Sequence, residues 1–195
     1  MATGEKVTDE WYTVGQWDYE ENSLRVQHTW MLGARTRRSA LILQFSAMGR
    51  PYSETLVCGT RQVGDVYFYP GTAGIRGLLT TRGEESTPIH DLAVGAETIE
   101  EFLGSQAEIL ARHPWQEYFL LVLRSAIPVC AEADDTWYIC DRTGAALPLR
   151  KAESWLLLAL SGGGPVDFVG EWDGETVLPL AATADGTYHL LWRLS

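Results

Sequence analysis

The sequence predicts an α+β protein built mainly of antiparallel β-sheets, with one amphipathic helix and one short buried helix. Three observations carry that prediction. Residues 23–32 and 39–48 alternate apolar and polar side chains with the period of two that a strand imposes. Asp173-Gly174 and Asp185-Gly186 separate apolar runs near the C-terminus, and Asp-Gly between such runs is a strong hairpin signal. One stretch, 98–113, instead has the period of an amphipathic helix.

Residues 1–22 are acidic and polar with scattered aromatics (Trp11, Tyr12, Trp17, Tyr19) and read as a mostly irregular lead-in. SLRVQHTWML (23–32) then sets Leu24, Val26, His28, Trp30 and Leu32 on one face against Arg25, Gln27 and Thr29, the pattern of a half-buried strand. GARTRR turns the chain into SALILQFSAM (39–48), so the pair reads as a hairpin with a six-residue connection. GDVYFYP (64–70) and IRGLLTT (75–81) are further strands about the turn PGTAG.

A polar break at 82–95 precedes the helix. Thr98 and Glu101 form a capping box, and Ile99, Phe102, Leu103, Gln106, Ile109 and Leu110 make its apolar stripe with one polar interruption. Pro114 ends it, because the ring bars helical geometry for His113. EYFLLVLRSAIPV (117–129) is a long strand, and TWYIC (136–140) and AALPL (145–149) flank a type I turn running from Asp141 to Gly144. WLLLAL (155–160) suits a buried strand or a short helix, and the glycines at 162–164 favour the helix. The end is a meander about the two Asp-Gly turns. ALPL and VLPL echo each other and are read as shared hairpin chemistry rather than a repeated binding unit. Proline in each marks an edge or an exit from a sheet, because it cannot donate to the ladder. The organisation expected is an acidic lead-in (1–22), a basic β-rich region (23–83), a linker and helix (84–114) and a β-rich region with a short helix (115–195). The sheets are free to share one core.

Composition excludes several classes. No apolar run is long enough to span a membrane, and residues 1–15 lack the apolar segment of a secretory signal. Three cysteines are too few for a disulfide framework, so a reducing cytoplasm is the expected setting. The net charge of −11 argues against a general nucleic-acid binder, yet it is unevenly spread. Residues 23–83 hold eight arginines, no lysine and two acids, a local net of +6, whereas 1–22 carry −5 and 84–195 carry −12. Either the basic sheet docks on the chain's own acidic part, or its arginines are spread over a solvated face, or Arg25, Arg35, Arg37, Arg38, Arg50, Arg61 and Arg76 form a patch for an anionic partner.

No chemical motif is specific. Cys130 and Cys140 lie nine residues apart without a nearby His, and Cys58 is remote, so they read as small buried hydrophobes rather than zinc ligands. There is no Gly-x-Ser-x-Gly elbow, and pairings such as Cys58 with His90 or Cys140 with His189 have only composition behind them. SGGGP (161–165) lacks the Lys-Ser/Thr of a phosphate loop, and Asp134-Asp135 sits in a polar hairpin loop. Arg35, Arg37 and Arg38 near Trp30, Phe45 and Tyr52 supply charge and rings for a single strand of nucleic acid, but Trp30 and Phe45 fall on strand positions expected in the core.

The phrases TWMLGARTRRSALILQFSAMGRPY, DVYFYPGTAGIRGLL and CDRTGAALPLR…WLLLALSGGGPVDFVGEWDGETVLPLA occur in that order. They resemble the region that follows the zinc-binding motif in bacterial SWIM zinc-finger family proteins. The resemblance implies a bacterial multiprotein system with AAA+ and von Willebrand A-type proteins as partners. The family's finger, Cys-x-Cys…Cys-x-His, is absent here, so no metal ligand carries over and no cofactor is implied. The expectation is a non-enzymatic protein-interaction module, with nucleic-acid or polyanion binding through the Arg-rich sheet as the alternative.

Overall fold

The structure is a computed structural model that describes residues 4–47, 50–71, 73–92, 94–131, 136–150 and 154–191. Asp134 and Asp135 lie outside the described residues. The fold is mainly antiparallel sheet with two helices, as expected, and it divides into two compact units, one within residues 1–89 and one within 90–192.

The first unit contains β1 (Glu5–Glu21), β2 (Leu24–Gly33), β3 (Ser39–Ala47), β4 (Thr60–Phe68), β5 (Arg76–Arg82) and the short β6 (Thr87–Pro88). The expected irregular lead-in is therefore corrected: it is a 17-residue strand. Its first half pairs with β4 and its second half with β2, with a bulge between Thr13 and Gly15 where the strand changes partner. Bulges bend a strand and sharpen its twist, which lets one strand serve two walls. Its acidity disguised it. Asp9 is buried but accepts from the backbone amides of Glu10, Arg35 and Thr36 and from the Thr36 hydroxyl.

β2 pairs with β3, β3 runs parallel to β5 at Leu41–Arg76 and Ile42–Gly77, and β5 pairs with β4. The five strands thus close a ring in the order 1-2-3-5-4-1, a five-stranded Greek-key barrel. Val7, Trp11, Met31, Ile42, Val66 and Phe68 are among the residues filling it, and the Trp11 indole N–H donates to the Gly64 carbonyl at 3.1 Å. The half-buried reading of β2 is also corrected. Met31 and Ile42 belong to the core, so Thr29 and Gln27, two and four residues before Met31, point inward and are buried.

The second unit contains α1 (Ile99–Leu110), β7 (Phe119–Ala131), β8 (Thr136–Cys140), β9 (Ala146–Pro148), α2 (Ser154–Ser161), β10 (Val166–Trp172), β11 (Val177–Ala184) and β12 (Thr187–Leu190). α1 is not a linker. The residues before it are tied to β7, Ala96 donating to Val122 and accepting from Arg124. The Thr98 side chain accepts from the Glu101 amide as the capping box requires, but Leu103 and Leu110 are exposed, so the buried stripe is narrower than expected. α2 forms where the glycines suggested, yet only Ser154 and Leu157 are buried, and Trp155 stands in solvent with its ring edge-on to Trp137.

β7 repeats the design of β1. It is the longest strand of its unit, its first half pairs with β10 and its second half with β8, and it bends at Ser125, whose φ is 50° and whose amide donates to Asp167. β8 pairs with β9, a parallel bridge joins Leu149 to Val177 of β11, and β11 pairs with β10. Taken in chain order, these strands again close as 1-2-3-5-4-1. The two Leu-Pro-Leu segments are therefore parallel neighbours, third and fifth strands of one barrel. Pro179 lies at a register shift, between the bridge at Val177 and the β12 pairing that begins at Ala181, where no neighbour on that side needs its missing N–H. GQWD (15–18) and GEWD (170–173) occupy a first and a fourth strand and are not equivalent positions.

Candidate interaction surface

The arginines are mostly engaged within the first barrel. Arg25 on β2 pairs with Asp18 on β1, its guanidinium 5.5 Å from the Tyr52 ring. Arg38 reaches Glu5 at 2.8 Å and lies over Phe68 at 4.0 Å. Arg61 lies 3.6 Å from Glu10 and donates to Thr87, and Arg35 donates to the Thr8 carbonyl at 2.8 Å. Each of these partners lies on β1 except Tyr52, Phe68 and Thr87. The strand that carries the N-terminal acids thus neutralises the basic region beside it.

Such partly exposed pairs contribute up to about 1 kcal/mol each, so they set charge balance more than stability. Arg37, Arg50 and Arg76 have no carboxylate partner among the described residues; Arg76 lies 5.9 Å from the Tyr69 ring. The Arg38 guanidinium also touches the Gly74 carbonyl at 3.5 Å, bringing the β2–β3 and β4–β5 connections to the same end of the barrel.

Burial pushes the Cys58 thiol up to about 12, and burial and the Asp141 carboxylate raise Cys140, so neither site favours thiolate. Cys130 sits opposite Trp137 and Cys140 opposite Ile127, an odd number of residues apart on β7, so the two thiols leave the sheet on opposite faces. Among the described residues, no three His, Cys, Asp or Glu side chains are placed to hold a metal ion.

Where β1, β2 and β3 run past the bulge, their two faces are inverted relative to an ordinary half-solvated sheet. Register places Asp18, Gln27 and Gln44 in one row on the inner face, with Gln16, Thr29 and Ile42 in the next. The other face carries the rows Tyr19, Val26, Phe45 and Trp17, His28, Leu43. Trp17 and Tyr19 stack at 5.3 Å, and His28 meets Trp17 at 4.7 Å and Tyr19 at 5.8 Å. Trp17, Val26 and His28 are buried, but Tyr19 is 38 %, Leu24 37 % and Phe45 53 % exposed.

Sequence reasoning placed Phe45 in the core and set no role for Tyr19. The only signal for this surface was the abundance of rings in 17–45, because which rings share a face depends on a register the sequence does not state. Outside this face, Trp115 in the α1–β7 connection is also exposed, at 91 %, as is Trp155 on α2. No family model matches the chain, and no curated protein or solved structure matches it.

Proposed function

We propose that the chain is a non-enzymatic protein-interaction module whose contact surface is the aromatic face of β1, β2 and β3. One observation carries this: Tyr19, Leu24 and Phe45 are exposed together on a sheet whose polar side chains are turned inward. Folding leaves large rings in water while burying amides and a carboxylate, and an exposed aromatic patch of this kind suits a partner's apolar surface. Fold-level analogy points the same way, since five-stranded Greek-key barrels of the OB type take ligands on the face of their second and third strands. By its resemblance to SWIM-associated bacterial proteins, the proposed partner is an AAA+ or von Willebrand A-type protein in the cytoplasm.

The test is calorimetric titration of the full chain with such proteins encoded beside it, repeated with Phe45→Glu and Tyr19→Ser. Binding weakened about tenfold or more, with an unchanged melting temperature, supports this surface. Full affinity in the double variant removes the surface from consideration, and absence of binding to any of the neighbours counts against the module itself.

A second reading, binding of nucleic acid or another polyanion, is favoured by Arg37 and Arg76, which are exposed and free of described carboxylates at one end of the barrel. Anisotropy of a labelled oligonucleotide discriminates it, because an electrostatic contact weakens steeply with salt.

A further inference from the structure

The inner face of β1, β2 and β3 holds an incompletely satisfied polar cluster. Gln27, Gln44 and Ser46 are buried there, and the Gln16 carboxamide donates at 2.8 Å both to the Gln27 oxygen and to the Thr29 hydroxyl. Asp18 is paired with Arg25. Across this face runs the chain from 50 to 56. Its Arg50 carbonyl accepts from Ser46, its Tyr52 hydroxyl lies 3.5 Å from Asp18, and its Glu54 carbonyl accepts from the Gln44 amide at 3.0 Å. Two groups on the inner face remain without a partner among the described residues: the Gln44 Oε1, on a residue only 6 % exposed, and the Thr13 hydroxyl. A buried acceptor without a donor is costly, so a native chain that retains one has reason to.

We propose that this face and the covering 50–56 segment form a binding site for a small neutral polyhydroxylated molecule. The donor set selects that class. Carboxamides and hydroxyls both donate and accept, so they match vicinal hydroxyls, which do the same. On the inner face the Asp18 carboxylate and the Arg25 guanidinium already neutralise each other, and Glu54 of the covering segment is paired with Arg82, so an anion entering this face meets Asp18 and a cation meets Arg25. An apolar guest leaves the amides unpaired. Entry is through the cover: residues 50, 51 and 53–55 are exposed, Tyr52 is half-buried, and Arg50, Tyr52 and Glu54 meet the inner face through hydrogen bonds. Leu56 anchors the segment's end in the barrel core.

The experiment is NMR titration of the full chain, following the side-chain amides of Gln16, Gln27 and Gln44, with glycerol, myo-inositol, glucose and trehalose. At least one should give saturable shifts in these resonances. Gln44→Leu and Tyr52→Phe should each weaken that binding about tenfold or more. If Gln44→Leu does not fold, Tyr52→Phe alone reads the same outcome. Shifts that grow linearly with concentration, equal binding by the variants, or a high-resolution structure with one ordered water on Gln44 Oε1 and no guest at saturating polyol would overturn the site.

Discussion

Asp141 is a buried carboxylate whose removal by one atom has a calculable result. Its Oδ1 accepts from the Thr143 amide at 2.8 Å, the Thr143 hydroxyl at 2.6 Å and the Ala145 amide at 3.1 Å, closing the β8–β9 turn. Its Oδ2 accepts from the Ile99 amide at 2.7 Å, at the first turn of α1. Asp141→Asn is nearly isosteric. The carboxamide oxygen keeps the turn, and the amide nitrogen then faces the Ile99 N–H, donor against donor.

The loss is one hydrogen bond to a charged acceptor, about 1.5–3 kcal/mol. Loss of a carboxylate at a helix N-terminus adds roughly 0.3–1 kcal/mol. The expected cost is about 2–4 kcal/mol, or roughly 4–16 °C in melting temperature for a chain of this length. Calorimetry measures it, and hydrogen exchange should show the amides of residues 99–102 opening first.

The pH dependence is a second readout. Burial opposes ionisation of Asp141, but Thr143, Ile99 and Ala145 outweigh it and hold the carboxyl below its usual value. The stabilisation is therefore present above the unfolded-state value of about 3.9 and lost as pH falls through the folded one. Asp141→Asn should lack that loss. A variant within about 1 kcal/mol of the parent would refute the reasoning, since it would mean the Ile99 amide is solvated or finds another acceptor.

Four further outcomes are expected. Gly170→Ala should destabilise by about 1–3 kcal/mol, because the added carbon lies 2.3 Å from Val177 Cγ1 and 3.0 Å from the Leu178 carbonyl. Gly104→Ala, with nothing within 4 Å, should stabilise α1 by about 1 kcal/mol; urea melts compare the pair. Burial opposes ionisation of Asp173, but the Thr176 and Glu175 amides and the Arg150 guanidinium hold it at about 2. It stabilises the fold by about 2 kcal/mol above roughly pH 4, lost as pH falls towards 2, and Arg150→Met should flatten that decline in acid titrations followed by fluorescence. Iodoacetamide at pH 8 should modify Cys58 at least about tenfold more slowly in the native chain than in urea, and equal rates would contradict its raised thiol value.

Much of the local structure was legible in the residues. Thr98 and Glu101 cap α1 as the spacing required. The β2–β3 hairpin forms about its connection. Asp185-Gly186 turns with positive φ at both residues, which is what a two-residue type I′ hairpin needs. These features depend on side chains a few positions apart.

The interaction surface was not legible, because one shift of register exchanges the faces of a strand. The bulge at Val14 makes such a shift inside β1, and nothing in the local pattern marks it. On β2 and β3 the register is unbroken, but alternation shows two faces without showing which one the barrel turns inward, so Phe45 read as core when it is exposed and Gln27 as surface when it is buried.

By itself the sequence determined the periods, the turns, the cap of α1 and the total of charge, since each follows from the backbone preferences of neighbouring residues. Only the tertiary structure decided that β1 closes a barrel with β4, that β7 does the same with β10, and that Asp18, Glu5 and Glu10 meet Arg25, Arg38 and Arg61. The reason is physical. Ring closure and charge pairing join residues far apart along the chain, and their energies depend on which strands meet and in what register.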